Sequence, residues 1–364
     1  MIKPLLPILI FLAMFYSQHI QAQQIPLYIG TYTQKNESKG IYTYSFNTKT
    51  GDATLLSETE TSSPSFLARH KNILLAANEL TDGNQSVSAF RIEDGKLNFI
   101  NKLPTTGSAP CHVIIDKKGK YAVVSNYLGG ALDLYAIDAN GHINQNDHKK
   151  YSGSSVDTKR QEAPHIHSAF QGPDGNIYVS DLGTDLIHVL AVKLEDGKYK
   201  FNEIETIQTP KGAGPRHIAF HPNKKYFYAL MEMSADVVVY EKTGNSWKQK
   251  QVINMNAEGF SGKDGAADVK ISKDGKYLYA SNRVDANTIS TFAVQKDGSL
   301  NKIQVQSVLG KGPRNFNFSP DQNFVLVGNQ LSNEVVIFKR DKKTGSLSDS
   351  GKRIQAFKPV CLIF

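Results

Sequence analysis

The sequence has 364 residues, of which 40% are hydrophobic and 21% are charged, and its formal net charge is +8. This composition is ordinary for a folded globular protein and excludes a disordered or fibrous chain. The lysines are scattered through turn segments, such as Lys117-Lys118 and Lys224-Lys225, and do not form the single basic face that nucleic-acid binding requires. We therefore expect no nucleic-acid partner.

The N-terminus has the layout of a secretory signal peptide. Lys3 is followed by an apolar run over residues 5–15 and then by the small residue Ala22. No later stretch approaches the ~20 consecutive apolar residues of a membrane helix. We expect residues 1–22 to be a cleaved signal peptide and residues 23–364 to form a single domain, in a periplasmic or secreted protein with no membrane span. A retained anchor is the alternative.

Beyond this segment, one unit recurs along the chain with a period near 50 residues. A proline or small residue followed by an apolar strand pattern occurs at Pro64, Pro110, His165, Pro215, Ala266, Pro313 and Pro359. The successive spacings are 46, 55, 50, 51, 47 and 46 residues. A turn, an aromatic-rich strand pattern and two further strand patterns follow each start except the last. Four short strands in a repeat of this length predict the blade of a β-propeller.

The two ends of the chain complement each other. Residues 27–60 contain strand patterns without a first strand, whereas the strand pattern after Pro359 has nothing following it. We expect residues 360–364 to supply the innermost strand of the blade formed by residues 27–60. The sequence therefore predicts an all-β, seven-bladed propeller of four-stranded blades, whose closure protects the sheet edges.

Equivalent positions of the repeat should form rings around the central channel. Some of these rings carry charged or imidazole side chains where a purely apolar repeat would not need them. The ring after the second strands contains Glu79, Glu232 and Arg283. The first strands contribute His112, His167, His217, Arg216 and Arg314. Such groups are costly near a propeller axis unless they are solvated or bound to a ligand. They are the candidate site.

One alternative interpretation of the histidine ring is a zinc site made by His112, His167 and His217 with Asp181 or Asp268. The histidines come from separate blades and show no diagnostic ligand spacing, so we expect no metal and no cofactor. The chain also has no Gly-x-Ser-x-Gly elbow, no P-loop and no His-Glu-x-x-His motif. A serine triad is therefore disfavoured.

Several motifs together resemble the propeller lactonase family of 6-phosphogluconolactonases and carboxymuconate cyclases. They are IGTYT, GIYTYSF, AANE, APHIHSAF, SDLGTD, GPRHIAFHP and KPVCLIF, and the resemblance covers residues 27–364. It implies an enzyme that hydrolyses 6-phosphogluconolactone or a related anionic or sugar lactone. The alternatives are a carboxymuconate cyclase-like lyase or isomerase and a non-catalytic propeller that binds a partner.

The resemblance also implies the catalytic residues, because the family uses a His, Arg, Glu and Arg group. The matching positions are His167, or alternatively His165, in PHIH, Arg216 in GPRH, Glu232 in ALMEM and Arg283 in SNR. Four further residues are expected to bind substrate: His165, His217, Glu79 and Arg314. The chain departs from the family pattern at Met231, where the family has Asn before the Glu.

These residues suggest a mechanism. Arg216 and Arg283 are expected to hold an anionic phosphate or carboxylate and to stabilise the oxyanion, while His167, His165 or Glu232 activates water. We expect a monomer that acts on a small-molecule lactone. Because 6-phosphogluconolactone is a cytosolic intermediate, the predicted signal peptide makes an unphosphorylated or carboxylated sugar lactone an equally good candidate substrate.

Overall fold

The computed structural model describes residues 24–364, so the predicted signal peptide over residues 1–22 lies outside the described residues. The described part of the chain forms seven four-stranded antiparallel sheets. It contains no helix, and hence no helix with the length and apolar character of a membrane span. The prediction of an all-β, seven-bladed propeller is confirmed.

The strands of the first four blades are named from the innermost outward. Blade 1 contains β28 (Pro359–Ile363), β1 (Gln24–Thr31), β2 (Gly40–Asn47) and β3 (Ala53–Glu60). Blade 2 contains β4 (Pro64–His70), β5 (Ile73–Asn78), β6 (Ser86–Glu93) and β7 (Lys96–Pro104). Blade 3 contains β8 (Pro110–Ile115), β9 (Tyr121–Asn126), β10 (Ala131–Ile137) and β11 (Ile143–Lys150). Blade 4 contains β12 (Ile166–Gln171), β13 (Ile177–Asp181), β14 (Leu186–Glu195) and β15 (Lys198–Gln208).

The last three blades follow the same order. Blade 5 contains β16 (Pro215–Phe220), β17 (Tyr226–Met231), β18 (Asp236–Thr243) and β19 (Ser246–Asn254). Blade 6 contains β20 (Ala266–Ile271), β21 (Tyr277–Asn282), β22 (Thr288–Val294) and β23 (Leu300–Ser307). Blade 7 contains β24 (Pro313–Phe318), β25 (Phe324–Asn329), β26 (Glu334–Arg340) and β27 (Leu347–Gln355).

The core lies between successive blades. Second strands such as β17 are buried along their whole length because a neighbouring sheet covers each face, whereas outer strands such as β19 are mostly exposed. Between blades 4 and 5, for example, the Trp247 indole donates to the hydroxyl of Tyr178 at 2.9 Å and packs on Phe227. The aromatic second strands of the repeat are thus explained by packing between sheets.

The C-terminal strand closes the ring, as predicted. Strand β28 pairs antiparallel with β1, and its Leu362 backbone is also held by two side chains of blade 7, Asn315 and Asn317. Close approach of the chain at this seam requires a glycine in β1: a Cβ on Gly30 would lie 2.4 Å from the carbonyl oxygen of Pro64. The closure therefore joins blades 7, 1 and 2.

A β-bulge at the beginning of the first strand recurs in all seven blades, where the pairing with the second strand shifts register. A bulge leaves residues unpaired and re-aims their side chains. The residues skipped by the pairing are Ser65, Cys111, His167, Arg216, Ala267, Asp268, Arg314 and Val360. Several predicted site residues are therefore bulge residues, at the end of the blade where the second strands finish.

Candidate active site

Glu232 occupies the centre of the candidate site. It directly follows β17, and its backbone N–H donates to the carbonyl oxygen of Gly214 at 2.8 Å. Its own carbonyl oxygen accepts from the N–H of Ala266 in blade 6 at 3.0 Å. These two bonds hold the Glu232 backbone between blades 5 and 6. The buried carboxylate meets three guanidinium groups from three separate parts of the chain.

The three arginines bind the two carboxylate oxygens unequally. Oε2 lies 2.8 Å from Nε of Arg216 and 3.0 Å from Nη2 of Arg283, whereas Oε1 lies 2.7 Å from Nη2 of Arg160. Burial by itself would raise the pKa of the Glu232 carboxyl, but the charges of these arginines lower it to about 2. Glu232 is therefore ionised throughout the neutral pH range and is fixed by charge-assisted hydrogen bonds.

His167 lies against the same carboxylate. Its Nε2 is 3.8 Å from Oε2 of Glu232, and its buried Nδ1 has no hydrogen-bond partner among the described residues. Burial, followed by the charge of Arg216, lowers the pKa of His167 well below its usual value. The imidazole is therefore neutral at pH 7, and a neutral imidazole has one nitrogen that can accept a proton.

Glu79 and Arg314 form a second charged group together with Tyr32. The Tyr32 hydroxyl donates to Oε2 of Glu79 at 2.8 Å, and the same oxygen lies 3.7 Å from Nη2 of Arg314.

Burial lowers the pKa of Arg216 to about 10, with contributions from the charges of Arg283 and Arg314. Arg216 stays protonated at neutral pH, and the Glu79 group shares the electrostatic environment of the Glu232 centre.

His165 lies beside Tyr127 rather than against Glu232. Its ring stacks on the Tyr127 ring with the centroids 4.5 Å apart, and its backbone N–H donates to Oδ1 of Asp181 at 2.8 Å. The same oxygen accepts from the N–H of Gly183 at 3.0 Å. A Cβ at Gly183 would lie 1.8 Å from a backbone carbonyl oxygen, so this tight turn requires glycine. The SDLGTD motif thus positions the PHIH motif.

His217 lies deeper in the channel, next to Arg216. Its Nδ1 is 2.9 Å from Oδ1 of Asp268, and its Nε2 is 3.5 Å from Nη1 of Arg216. Burial and the charge of Arg216 lower the pKa of His217 to about 4. Its ring also packs against aromatic and imidazole rings of the neighbouring first strands, and its predicted contact with substrate stays a prediction.

Arg160 was missed by the sequence interpretation. It belongs to the strap, which we define as residues 151–165 between β11 and β12. The spacing of 55 residues between Pro110 and His165 is the longest of the six intervals and was the available signal, because inserted residues in a propeller form longer loops. The Arg160 side chain is 45% exposed, against 2% for Arg216 and 16% for Arg283.

The histidine ring does not assemble a metal site. The rings of His112 and His217 are neighbours, with centroids 5.4 Å apart, but His112 packs on Phe66 and His217 turns its Nδ1 to Asp268. Among residues 24–364, no group of three or more His, Cys, Asp or Glu side chains is arranged to hold a metal ion. The zinc alternative gains no support from this geometry.

The fold agrees with comparisons with known proteins. A family model described as a lactonase, seven-bladed β-propeller, matches residues 26–364. The chain belongs to this lactonase family. The resemblance seen in its motifs is confirmed, and so is the prediction of a lactone-hydrolysing enzyme at the level of the family.

Three relatives illustrate the similarity. The 6-phosphogluconolactonase of Formosa agariphila is 36% identical over 335 residues, which cover 88% of this chain and 94% of the relative. A solved structure from Bacteroides fragilis, provisionally assigned as a 6-phosphogluconolactonase, has a TM-score of 0.87 and 34% identity, covering 93% of this chain and 97% of that one. The periplasmic gluconolactonase of Pseudomonas aeruginosa has a TM-score of 0.84 and 30% identity, covering 93% and 98%.

Proposed function

We propose that the protein hydrolyses a sugar lactone that carries an anionic group, in the manner of a 6-phosphogluconolactonase. The supporting observation is the balance of charge around Glu232. Four guanidinium groups face two carboxylates: Arg160, Arg216, Arg283 and Arg314 against Glu79 and Glu232. His167 and His217 are neutral at pH 7, so the centre carries an excess of positive charge that attracts and binds an anionic substrate.

The proposed reaction is the addition of water to the lactone carbonyl carbon, followed by cleavage of the ring C–O bond. The proton removed from water is returned to the leaving oxygen, and the product is an open-chain hydroxy acid. Arg283 stabilises the oxyanion, since its Nη1 has no hydrogen-bond partner within residues 24–364 while Nε and Nη2 fix the side chain. The buried Arg216 side chain fixes Glu232 by donating from Nε to Oε2 of its carboxylate.

Either His167 or Glu232 takes the proton from water. At pH 7 the imidazole is neutral and the carboxylate is ionised, so each is in the protonation state of a base. The two assignments differ in a measurable way. Replacing the true base should remove the acid limb of the kcat/KM profile, whereas replacing its neighbour should lower kcat and leave that limb in place.

Export of the protein is the second part of the proposal. Residues 1–22 have the pattern of a signal peptide, and a family member from Pseudomonas aeruginosa is a periplasmic enzyme. The substrate would then be a lactone present outside the cytoplasm. Mass spectrometry of the protein from periplasmic and cytoplasmic fractions tests this, because a mature chain starting near residue 23 in the periplasm is expected. A chain retaining residues 1–22 in the cytoplasm would contradict it.

The catalytic proposal is tested with purified protein in a pH-stat assay against phosphorylated, carboxylated and neutral sugar lactones. We expect hydrolysis above the uncatalysed rate and a preference for the anionic lactones. Arg283→Ala should abolish most of it, whereas Arg353→Ala, which removes a surface arginine paired with Asp349, should not. Absence of hydrolysis across the whole panel would contradict the proposal and favour a lyase, an isomerase or a binding protein.

A further inference from the structure

The three arginines around Glu232 are not equivalent. Arg216 and Arg283 share Oε2 and are mostly buried, whereas Arg160 alone holds Oε1 and is half-exposed. The other side-chain contact of Arg160 is long: its Nη2 lies 3.4 Å from the Tyr127 hydroxyl. If Arg160 moved away, Oε2 would keep both of its arginines and Oε1 would become free.

The strap fixes the backbone of Arg160 but not its side chain. Gln161 is fully buried, and its Nε2 donates to Oδ1 of Asp185 at 2.8 Å. Ser155 donates to Oδ2 of the same carboxylate at 2.5 Å, and the Arg160 N–H donates to Oδ1 of Asp157 at 3.1 Å. The backbone on both sides of Arg160 is thus pinned, so a change of partner needs only a rotation of an exposed side chain.

Asp185 also ties the strap to the segment that carries Arg216. Its carboxylate accepts from the backbone N–H groups of Gly212 and Gly214 at 2.7 Å and 2.8 Å. One buried carboxylate therefore sets the positions of both segments from which Arg160 and Arg216 reach Glu232. The backbone of Arg160 is therefore held beside the centre, within reach of Glu232, while its exposed guanidinium is open to competition from an anionic ligand.

We propose that Arg160 selects anionic lactones: its guanidinium leaves Glu232 for the anionic group of the substrate and thereby uncovers Oε1 next to the reacting carbon. This inference rests on the proposed lactonase function. A phosphate or carboxylate offers Arg160 a bidentate partner in place of a single carboxylate oxygen. A neutral lactone offers none, so Arg160 stays on Glu232 and one of its oxygens remains masked.

The change of partner also alters the chemistry of Glu232. The groups that face its carboxylate are Arg160, Arg216, Arg283 and His167. Burial raises the pKa of Glu232, and the charge of Arg283 lowers it more than that of any other neighbour. Arg160 is one of the arginines that lower the pKa of Glu232. Its departure therefore raises that pKa and makes the carboxylate a better base only when an anionic substrate is bound.

The test compares kcat/KM for a phosphorylated lactone with kcat/KM for the matching neutral lactone. In Arg160→Ala we expect the ratio of the two values to fall by at least about tenfold, the loss of a hydrogen bond to a charged group. Arg160→Lys should give an intermediate ratio, since lysine keeps the charge without the bidentate geometry. Lys159→Ala is the matched control, because it removes the same charge from the adjacent exposed position of the strap.

The pH dependence of kcat/KM distinguishes this role of Arg160 from a purely structural one, which would leave the profile unchanged. With the neutral lactone, the acid limb of kcat/KM should lie at higher pH in Arg160→Ala than in the wild type, because Glu232 has lost one neighbouring charge. An unchanged ratio of kcat/KM values with an unchanged acid limb would overturn the inference. So would an equal loss of selectivity in Lys159→Ala.

Binding of inorganic phosphate separates this inference from the proposed function. Titration calorimetry of the wild type, Arg160→Ala and Lys159→Ala requires no turnover. If the wild type hydrolyses no lactone, the proposed function fails, but phosphate binding weakened about tenfold in Arg160→Ala alone still supports Arg160 as the anion-binding residue. Equal phosphate affinity in all three proteins would overturn that role.

Discussion

Nδ1 of His217 lies 2.9 Å from Oδ1 of Asp268 beneath the candidate site, and both side chains are almost fully buried. The other carboxylate oxygen, Oδ2, accepts from Nδ2 of Asn315 at 2.7 Å and lies 3.3 Å from Nζ of Lys270. The carboxylate of Asp268 therefore joins the first strands of blades 5, 6 and 7 at the channel. The charges around it, chiefly that of Lys270, lower its pKa although burial opposes this.

Removing this carboxylate should weaken the fold below the site. Asp268→Ala leaves the buried donors Nδ1 of His217 and Nδ2 of Asn315 without an acceptor, and each unpaired buried donor costs about 1–3 kcal/mol. The free energy of unfolding from urea titration at pH 7 measures the effect. Asp349→Ala, which breaks a surface pair with Arg353, should cost at most about 1 kcal/mol. Equal costs in the two variants would contradict the assigned role of Asp268.

The buried histidines should make the protein less stable in mild acid. Burial lowers the pKa of His217 to about 4 and lowers that of His112 as well, so the unfolded chain binds more protons than the folded one between about pH 6.5 and pH 4. Stability is therefore present above this window and is lost as pH falls through it. His112→Phe should reduce the fall in Tm between pH 7 and pH 4.5.

His142→Phe serves as the control for that experiment, because His142 is exposed in a turn of blade 3. It should leave the difference in Tm unchanged. Phenylalanine suits position 112, where the imidazole packs on Phe66 with centroids 4.0 Å apart and its Nε2 has no partner in the described part of the chain. The same fall in Tm in His112→Phe as in the wild type would contradict the prediction.

Glu232→Gln should lower kcat for lactone hydrolysis by at least about 100-fold, the usual range for loss of a general base or its equivalent. The reason is that the amide cannot accept a proton and cannot neutralise Arg216 and Arg283. Steady-state kinetics with the best lactone of the panel measure the change. Glu195→Gln alters an exposed glutamate in the β14–β15 hairpin, at the other end of the blade from the site, and should retain full activity. Near-normal kcat in Glu232→Gln would remove Glu232 from the centre of the reaction.

Deletion of residues 359–364 should prevent the propeller from closing. It removes β28, exposes the edge of β1 and takes away the partners of Asn315 and Asn317. We expect a loss comparable with the total stability of a domain, about 5–15 kcal/mol. Circular dichroism and limited proteolysis test this. Phe364→Ala removes one partly buried ring that packs on Phe46, keeps β28 and should leave a folded protein; a folded, protease-resistant deletion variant would contradict the prediction.

Periodicity alone determined the architecture of this protein. Strand patterns with a spacing near 50 residues predict blades. A first-strand pattern at the C-terminus, with no further strands after it, predicts the closure made by β28. Because the blades repeat one strand order and nearly one register, equivalent positions lie at similar levels of the channel. The repeat by itself therefore places Glu232, Arg216 and His167 in one region of the molecule.

The tertiary structure decided how these residues pair. Arg160 could not be found from the repeat, because the strap is an insertion whose path depends on Asp185 and Gln161. The bulge at Arg216 frees that side chain from the alternation of the strand, and the two carboxylate oxygens of Glu232 acquire different partners only when three distant segments meet. Sequence spacing fixes position along a blade, whereas the pairing of buried charges depends on distances in space that only the closed propeller defines.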